Sequence, residues 1–277
     1  MRISCGSAIW PVIATCALHP VSAAAWTTDL ACELSNPPPP GITAFSLTSY
    51  STAHAASGAG SCQMGITAGS DGWGTFGAVY AFPSNVTQGS SIWLRASLFI
   101  PPGFDVTTDD GFLKFLRIHT ANASGGNEGY HDLLISTPGN INWSPGIGNW
   151  TAPYIYNFEG AAKLFGVGTD PADDFVTGAW ETYEINVVFD STPKSSGGNA
   201  EVRIWKNNAL LLDNTDQPTL VSSTDYADAF YLFTYWNGNA PATQSLYVDD
   251  MIISTDTPSN RDAAGNPCLC APTPTGN

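Results

Sequence analysis

The sequence predicts an all-β protein, a β-sandwich of jelly-roll type whose two antiparallel sheets present a concave groove. Three observations predict it. Helical periodicity is nearly absent along the 277 residues. Glycine (27) and proline (20) recur between short runs of β-branched and aromatic residues, the punctuation of a sandwich or barrel. Residues 91–100 alternate cleanly: Ile92, Leu94, Ala96 and Leu98 fall on one face and Trp93, Arg95, Ser97 and Phe99 on the other. Pro101-Pro102-Gly103 then stops the run.

The chain opens with a segment that reads as a secretory signal over residues 1–25. Arg2 is its only charge, an apolar stretch follows, and Ser22-Ala23-Ala24-Ala25 offers small residues for cleavage before Trp26. Pro11, His19 and Pro20 interrupt the stretch too early for it to span a bilayer. Residues 26–258 are expected to form the sandwich, and 259–277 a tail tethered by cysteines. The whole chain carries nine Lys and Arg against 24 Asp and Glu, a formal charge of −15. That balance argues against nucleic acid or an anionic membrane as partner. A secreted, extracellular monomer is expected, periplasmic if the host is bacterial.

Further strands are expected over 111–120, 131–136, 180–189, 200–205, 229–236 and 246–254. Between them, 137–175 is the longest irregular stretch, carrying Trp143, Trp150, Tyr154, Tyr156 and Phe158. Such a loop serves either a functional role or as a cap on the core.

The strand over 111–120 contains Phe-Leu-Lys-Phe-Leu-Arg-Ile-His-Thr, which concentrates Lys114, Arg117 and His119 in a chain poor in cations. Alternation puts Arg117 and His119 on one face and turns Leu116 and Ile118 the other way. A cation beside a titratable imidazole suits proton abstraction next to a carboxylate; a solvated sheet face is the plainer alternative. Arg95 opposes an apolar stripe, and Arg203 and Trp205 alternate with Val202 and Ile204 in the same sense. Tyr231, Phe233, Tyr235 and Asn237 share a face by strict alternation. Gathered on one sheet, these side chains would stack on sugar rings and bind a uronate carboxylate.

Other chemistries find less support. No E-x-D-x-x-E run supplies the paired acids of a glycosidase, and Glu181 and Glu184 fall on opposite faces of their strand. Asp249 and Asp250 offer oxygen ligands to a structural calcium, or serve a turn or strand edge. Once the signal has left, Cys32, Cys62, Cys268 and Cys270 remain, an even number that suggests two disulfides. A Cys268–Cys270 bond would close a very tight ring, so the pairings that tie the tail to the N-terminal region are preferred.

Across residues 89–254 the chain resembles the concanavalin-like jelly-roll polysaccharide lyases of alginate and glucuronan type, and their carbohydrate-binding relatives. The resemblance rests on SIWLRASLFIPPG, FLKFLRIHT, WETYEINVVFD with AEVRIWKNNALL, and FYLFTYWNGNAPATQSLYVDDMIIS. Arg117-Ile118-His119 is similar in spacing to the family's Q-I-H strand, with arginine in place of glutamine. Arg95 matches an earlier family arginine and Tyr235 a late tyrosine, although the usual Y-F-K-A-G run is missing. The resemblance implies a lyase of acidic polysaccharides acting by β-elimination without an organic cofactor. Arg117, with Arg95 or Asn237, would neutralise the carboxylate; His119 or Tyr235 would take the proton, and Tyr235 could give one to the leaving oxygen. A non-catalytic carbohydrate-binding module and a glycoside hydrolase are the alternatives on the same fold.

Overall fold

A computed structural model describes residues 25–30, 42–44, 46–71, 75–106, 113–135, 154–161, 163–167 and 173–270. Residues 1–24 of the expected signal segment, Cys32 and the greater part of the aromatic loop, with Trp143 and Trp150, lie outside them. The described elements are fifteen strands and two short 3-10 turns. The strands are β1 (Thr27–Leu30), β2 (Ile42–Ala44), β3 (Thr48–Ser51), β4 (Ser61–Ile66), β5 (Ala78–Thr87), β6 (Ser91–Phe99), β7 (Leu113–Ala121), β8 (Asn127–Ile135), β9 (Tyr154–Phe158), β10 (Lys163–Val167), β11 (Trp180–Val188), β12 (Glu201–Lys206), β13 (Ala209–Asn214), β14 (Tyr226–Trp236) and β15 (Gln244–Ser254).

They form two sheets. One runs β13-β12-β11-β6-β15-β4-β3, with β1 also paired to β15; the other runs β10-β9-β8-β7-β14-β5-β2. Every named strand pairing is antiparallel, so the jelly-roll sandwich predicted from alternation is the fold. The apolar stripe Ile92, Leu94, Ala96 and Leu98 faces inward as expected. It meets Leu116, Ile118, Phe230 and Leu232 of the opposite sheet within one continuous core. Burying a side chain of this kind is worth roughly 1.5–3 kcal/mol.

Part of the stretch read as an irregular loop is regular. Tyr154–Phe158 and Lys163–Val167 form a hairpin that extends the seven-stranded sheet beyond β8. Its aromatic and aliphatic residues have the β preference that a functional-loop reading discounted.

Candidate functional site

The outer face of the seven-stranded sheet is patterned by two bulges that strict alternation misses. In β7 the register shifts between Lys114 and Leu116, which brings Lys114 to the same face as Arg117, three residues on. In β14 it shifts between Leu232 and Tyr235, where Phe233 takes a φ of 47° and turns into the core. Phe233 there stacks on Phe115, the extra residue of the β7 bulge, with ring centroids 4.6 Å apart. Gly77 permits the close approach at this point: a Cβ on it would lie 2.1 Å from the Leu232 carbonyl oxygen. Phe233 therefore leaves the face, and Tyr231 and Tyr235 stay on it.

The ladders then set the neighbours. Arg117 sits between Asp132 on β8 and Tyr231 on β14. His119 sits beside Tyr130 and Ala229, and Lys114 beside Tyr235. Arg117 Nε donates to Asp132 Oδ1 at 2.7 Å, and its Nη2 donates to Glu159 Oε1 at 3.5 Å. Lys114 Nζ donates to the same Glu159 oxygen and lies 3.7 Å from Asp132 Oδ2. The Arg117 guanidinium also covers the Tyr130 ring at 3.8 Å. Two cations thus face two carboxylates. Arg117 is only 4% exposed and Asp132 is fully buried. Burial pushes the Asp132 carboxyl upward, and the Arg117 and Lys114 charges oppose it.

His119 occupies the shallower end. Its Nδ1 is 2.5 Å from Asp228 Oδ1 and its Nε2 is 3.0 Å from Asn127 Oδ1. The carboxylate fixes the ring with Nδ1 carrying a proton, so the free choice lies at Nε2. Asn127 is exposed, and turning its amide aside uncovers that nitrogen. The ring lies 5.0 Å from Tyr130 and 5.9 Å from Tyr231, centroid to centroid. Tyr130 and Tyr231 meet edge to face at 5.4 Å and share a side-chain hydrogen bond. Burial drives the Tyr130 hydroxyl far above its ordinary value. Burial and the Asp228 charge raise Tyr231 as well, against the Tyr130 hydrogen bond and the Arg117 charge. Both are phenols, and proton donors, at neutral pH.

Of the residues singled out in the sequence, the sheet gathers Lys114, Arg117, His119, Tyr231 and Tyr235. Others lie elsewhere. Arg95 belongs to the other sheet, where its Nη1 donates to the Leu269 carbonyl at 2.7 Å and to Asn208 Oδ1 at 3.2 Å. Arg203 is on that sheet too, paired with Glu201 and with Asp213 at 3.2 Å. Trp205 is a buried wedge beneath the tail, its Nε1 donating to Asp262 at 2.9 Å, so it offers no platform to a sugar. These three face outward from their own strands, as alternation requires, but strand order puts β6 and β12 in the opposite layer. Asn237 falls in the turn after β14, beyond the last pairing with β7, with its side-chain oxygen buried.

The acidic pair on β15 serves the backbone. Asp249 Oδ2 accepts from the Ala56 and Ser57 N–H groups at 2.9 and 3.2 Å, and its Oδ1 accepts from Asp250 N–H at 2.9 Å. Asp250 sits at a bulge with a φ of 47° and accepts from the Ser57 hydroxyl at 2.5 Å. Among the described residues no group of three or more His, Cys, Asp or Glu side chains is placed to hold a metal ion. Cys268 and Cys270 bond to each other across 5.1 Å between Cα atoms, against the expected pairing to the N-terminal region, and Cys62 is also disulfide-bonded.

Sequence reasoning missed Asn127, Tyr130, Asp132, Glu159 and Asp228. Tyr130 and Asp132 were legible in principle, since extending the expected 131–136 strand back to Asn127 puts both on the face opposite Leu133. Glu159 enters from a 3-10 turn, and Asp228 from the register shift between Ala227 and Ala229, which no periodicity marks.

No sequence-family profile and no curated protein matches the chain. Its structure is similar to solved ones. Alginate lyase Aly36B in complex with alginate trisaccharide superposes with a TM-score of 0.51 at 11% identity, covering 76% of this chain and 86% of that one. The endo-β-1,4-glucuronan lyase of the fungus Trichoderma reesei superposes with a TM-score of 0.52 at 10% identity, covering 83% and 91%. These likenesses show a shared fold, an antiparallel β-sandwich; the chemistry rests on this chain's own residues.

Proposed function

We propose that this chain is a secreted lyase that cleaves a uronic-acid-containing polysaccharide by β-elimination. The observation that carries the reading is His119, oriented by Asp228, on the same sheet face as the Tyr231 phenol. His119 Nε2 takes the proton at C5 of the uronate. The electron pair left on C5 spreads into the adjacent carboxylate, then forms the C4–C5 double bond as the C4–O4 bond breaks. Tyr231, held as a phenol, gives its proton to the departing O4 oxygen and is resupplied through its hydrogen bond with Tyr130. The developing carboxylate charge falls to Lys114 and Arg117 on the same face. Tyr231 takes the acid role that the resemblance implied for Tyr235, because Tyr235 stands beside Lys114 and Tyr231 beside His119. The reaction uses no organic cofactor.

The test is incubation of the folded protein with alginate and with glucuronan, following ultraviolet absorbance of the unsaturated product. A flat trace on both would overturn the reading. A second reading, carbohydrate binding without turnover, is favoured by one observation: the Arg117 charge is already matched by Asp132. His119→Ala separates the two, since a binding protein keeps its glycan affinity whereas a lyase keeps affinity and loses turnover.

A further inference from the structure

Four charges meet under the face that the lyase reading uses, and they are not equivalent. Asp132 is fully buried and receives Arg117 Nε, so it belongs to the scaffold. Glu159 keeps 31% of its side chain exposed, and one of its oxygens takes both the Lys114 ammonium and the outer Arg117 nitrogen. Burial would push the Glu159 carboxyl up, but the Lys114 charge and hydrogen bond and the Arg117 charge hold it below its ordinary value. Its backbone is clamped. Gly129, at a φ of 145°, lies so close that a Cβ would come within 2.6 Å of the Gly160 nitrogen. A Cβ on Gly160 would in turn meet Phe158, Val221 and the Glu128 carbonyl at about 3 Å. The fold thus presses this turn onto β8 and leaves only the Glu159 side-chain torsions to move.

We propose that the Glu159 carboxylate holds the position on Lys114 and Arg117 that a substrate uronate carboxylate takes, and that binding exchanges one for the other. The inference rests on the polyuronate reading above and deepens it. Exchange keeps a carboxylate on the two cations before and after binding, so neither state leaves them without a countercharge. It also makes Glu159 a specificity-determining residue. A neutral sugar has no group that displaces a carboxylate from an ammonium, so it leaves the ion pair closed.

The test is calorimetric titration of wild type, Glu159→Gln and Glu159→Asp with tetrasaccharides of alginate and of glucuronan, with cellotetraose as the neutral control. Removing the competing carboxylate frees one charge-assisted contact, so Glu159→Gln is expected to tighten uronate binding on the order of tenfold. That gain should shrink as salt rises, with no change for cellotetraose. Glu159→Asp, one methylene shorter, should give a smaller gain of the same sign, and it carries the test if the glutamine variant does not fold. Uronate binding that is unchanged or weakened in the folded variants overturns the exchange while leaving the lyase reading in place. An absence of uronate binding in all three proteins overturns both.

Discussion

Arg95 and Glu184, cross-strand neighbours on β6 and β11, divide the backbone of Leu269 between them. The Arg95 guanidinium donates to the Leu269 carbonyl at 2.7 Å, while Glu184 Oε1 accepts its N–H at 2.6 Å. The residue thus held lies between Cys268 and Cys270, which pack on Trp205. Asn260 adds a donor to the Cys270 carbonyl at 2.7 Å. Polar side chains on the outer face of the eight-stranded sheet therefore fasten the C-terminal segment, where a disulfide to the N-terminal region was expected to do so.

Holding Glu184 in that cleft has a consequence for stability. Burial, above all, pushes its carboxyl up to about 7 against the Leu269 hydrogen bond and the Arg95 charge. The folded pKa lies above the unfolded one, so the unfolded chain gives up its proton first as pH rises. Stability should fall between about pH 4.5 and 7, by at most roughly 3 kcal/mol. His131 works in the opposite sense. It stacks on Phe158 at 4.4 Å, and burial drives its imidazole down to about 4. Its contribution is present above the unfolded value near 6.5 and is lost as pH falls toward 4. The two slopes oppose each other in the wild type. Denaturant unfolding from pH 4 to 7.5 should show a steeper rise with pH in Glu184→Gln and a net fall in His131→Gln. Parallel profiles in all three proteins would contradict both assignments.

Phenol placement gives a sharper kinetic prediction. Tyr231→Phe removes the proposed proton donor and should lower turnover about 10²–10⁴-fold with little change in KM. Tyr235→Phe leaves His119 and Tyr231 in place and should cost less than tenfold. Asp228→Asn frees the His119 ring from its orienting carboxylate and should lower kcat with little change in KM. The opposite ranking of the two tyrosines would return the acid role to Tyr235.

Strands β6, β7, β8, β11, β12, β14 and β15, the inward stripe of β6 and the shared face of Arg117 and His119 were legible because a period of two is all that they require. Strand order was not legible. Arg95 and Arg203 point outward as alternation demands, yet they lie in the other sheet, and nothing local marks which sheet a strand joins. Bulges were hidden for a related reason. Phe233 reads as a groove residue until the φ of 47° turns it onto Phe115, at a point where the backbone of Gly77, just before the neighbouring β5, comes close. Cys268 and Cys270 were misread because ring size in sequence was weighed ahead of the 5.1 Å between their Cα atoms. Tail docking by Glu184 and Arg95 was beyond reach, since residues 85 and 174 apart in sequence supply one hydrogen bond each.

The charge quartet beneath the site yields the last prediction. Arg117 and Asp132 are buried together, so removing either alone strips the other of its nearest countercharge away from water and leaves only the longer contact with Glu159 or Lys114. Arg117→Met and Asp132→Leu should each destabilise the fold by about 3–5 kcal/mol. The double variant removes both charges and keeps the volume, so most of that loss should return. Its remaining deficit should trace to Glu159, which would then face Lys114 alone. Catalysis divides differently: the double variant should melt near the wild type but bind uronate tetrasaccharides more weakly, because one of the two cations meant for the carboxylate has gone. Thermal unfolding and calorimetric titration on the same samples separate the two effects. Additive destabilisation in the double variant would show that the guanidinium and the carboxylate do not depend on each other, against the pairing that their 2.7 Å contact implies.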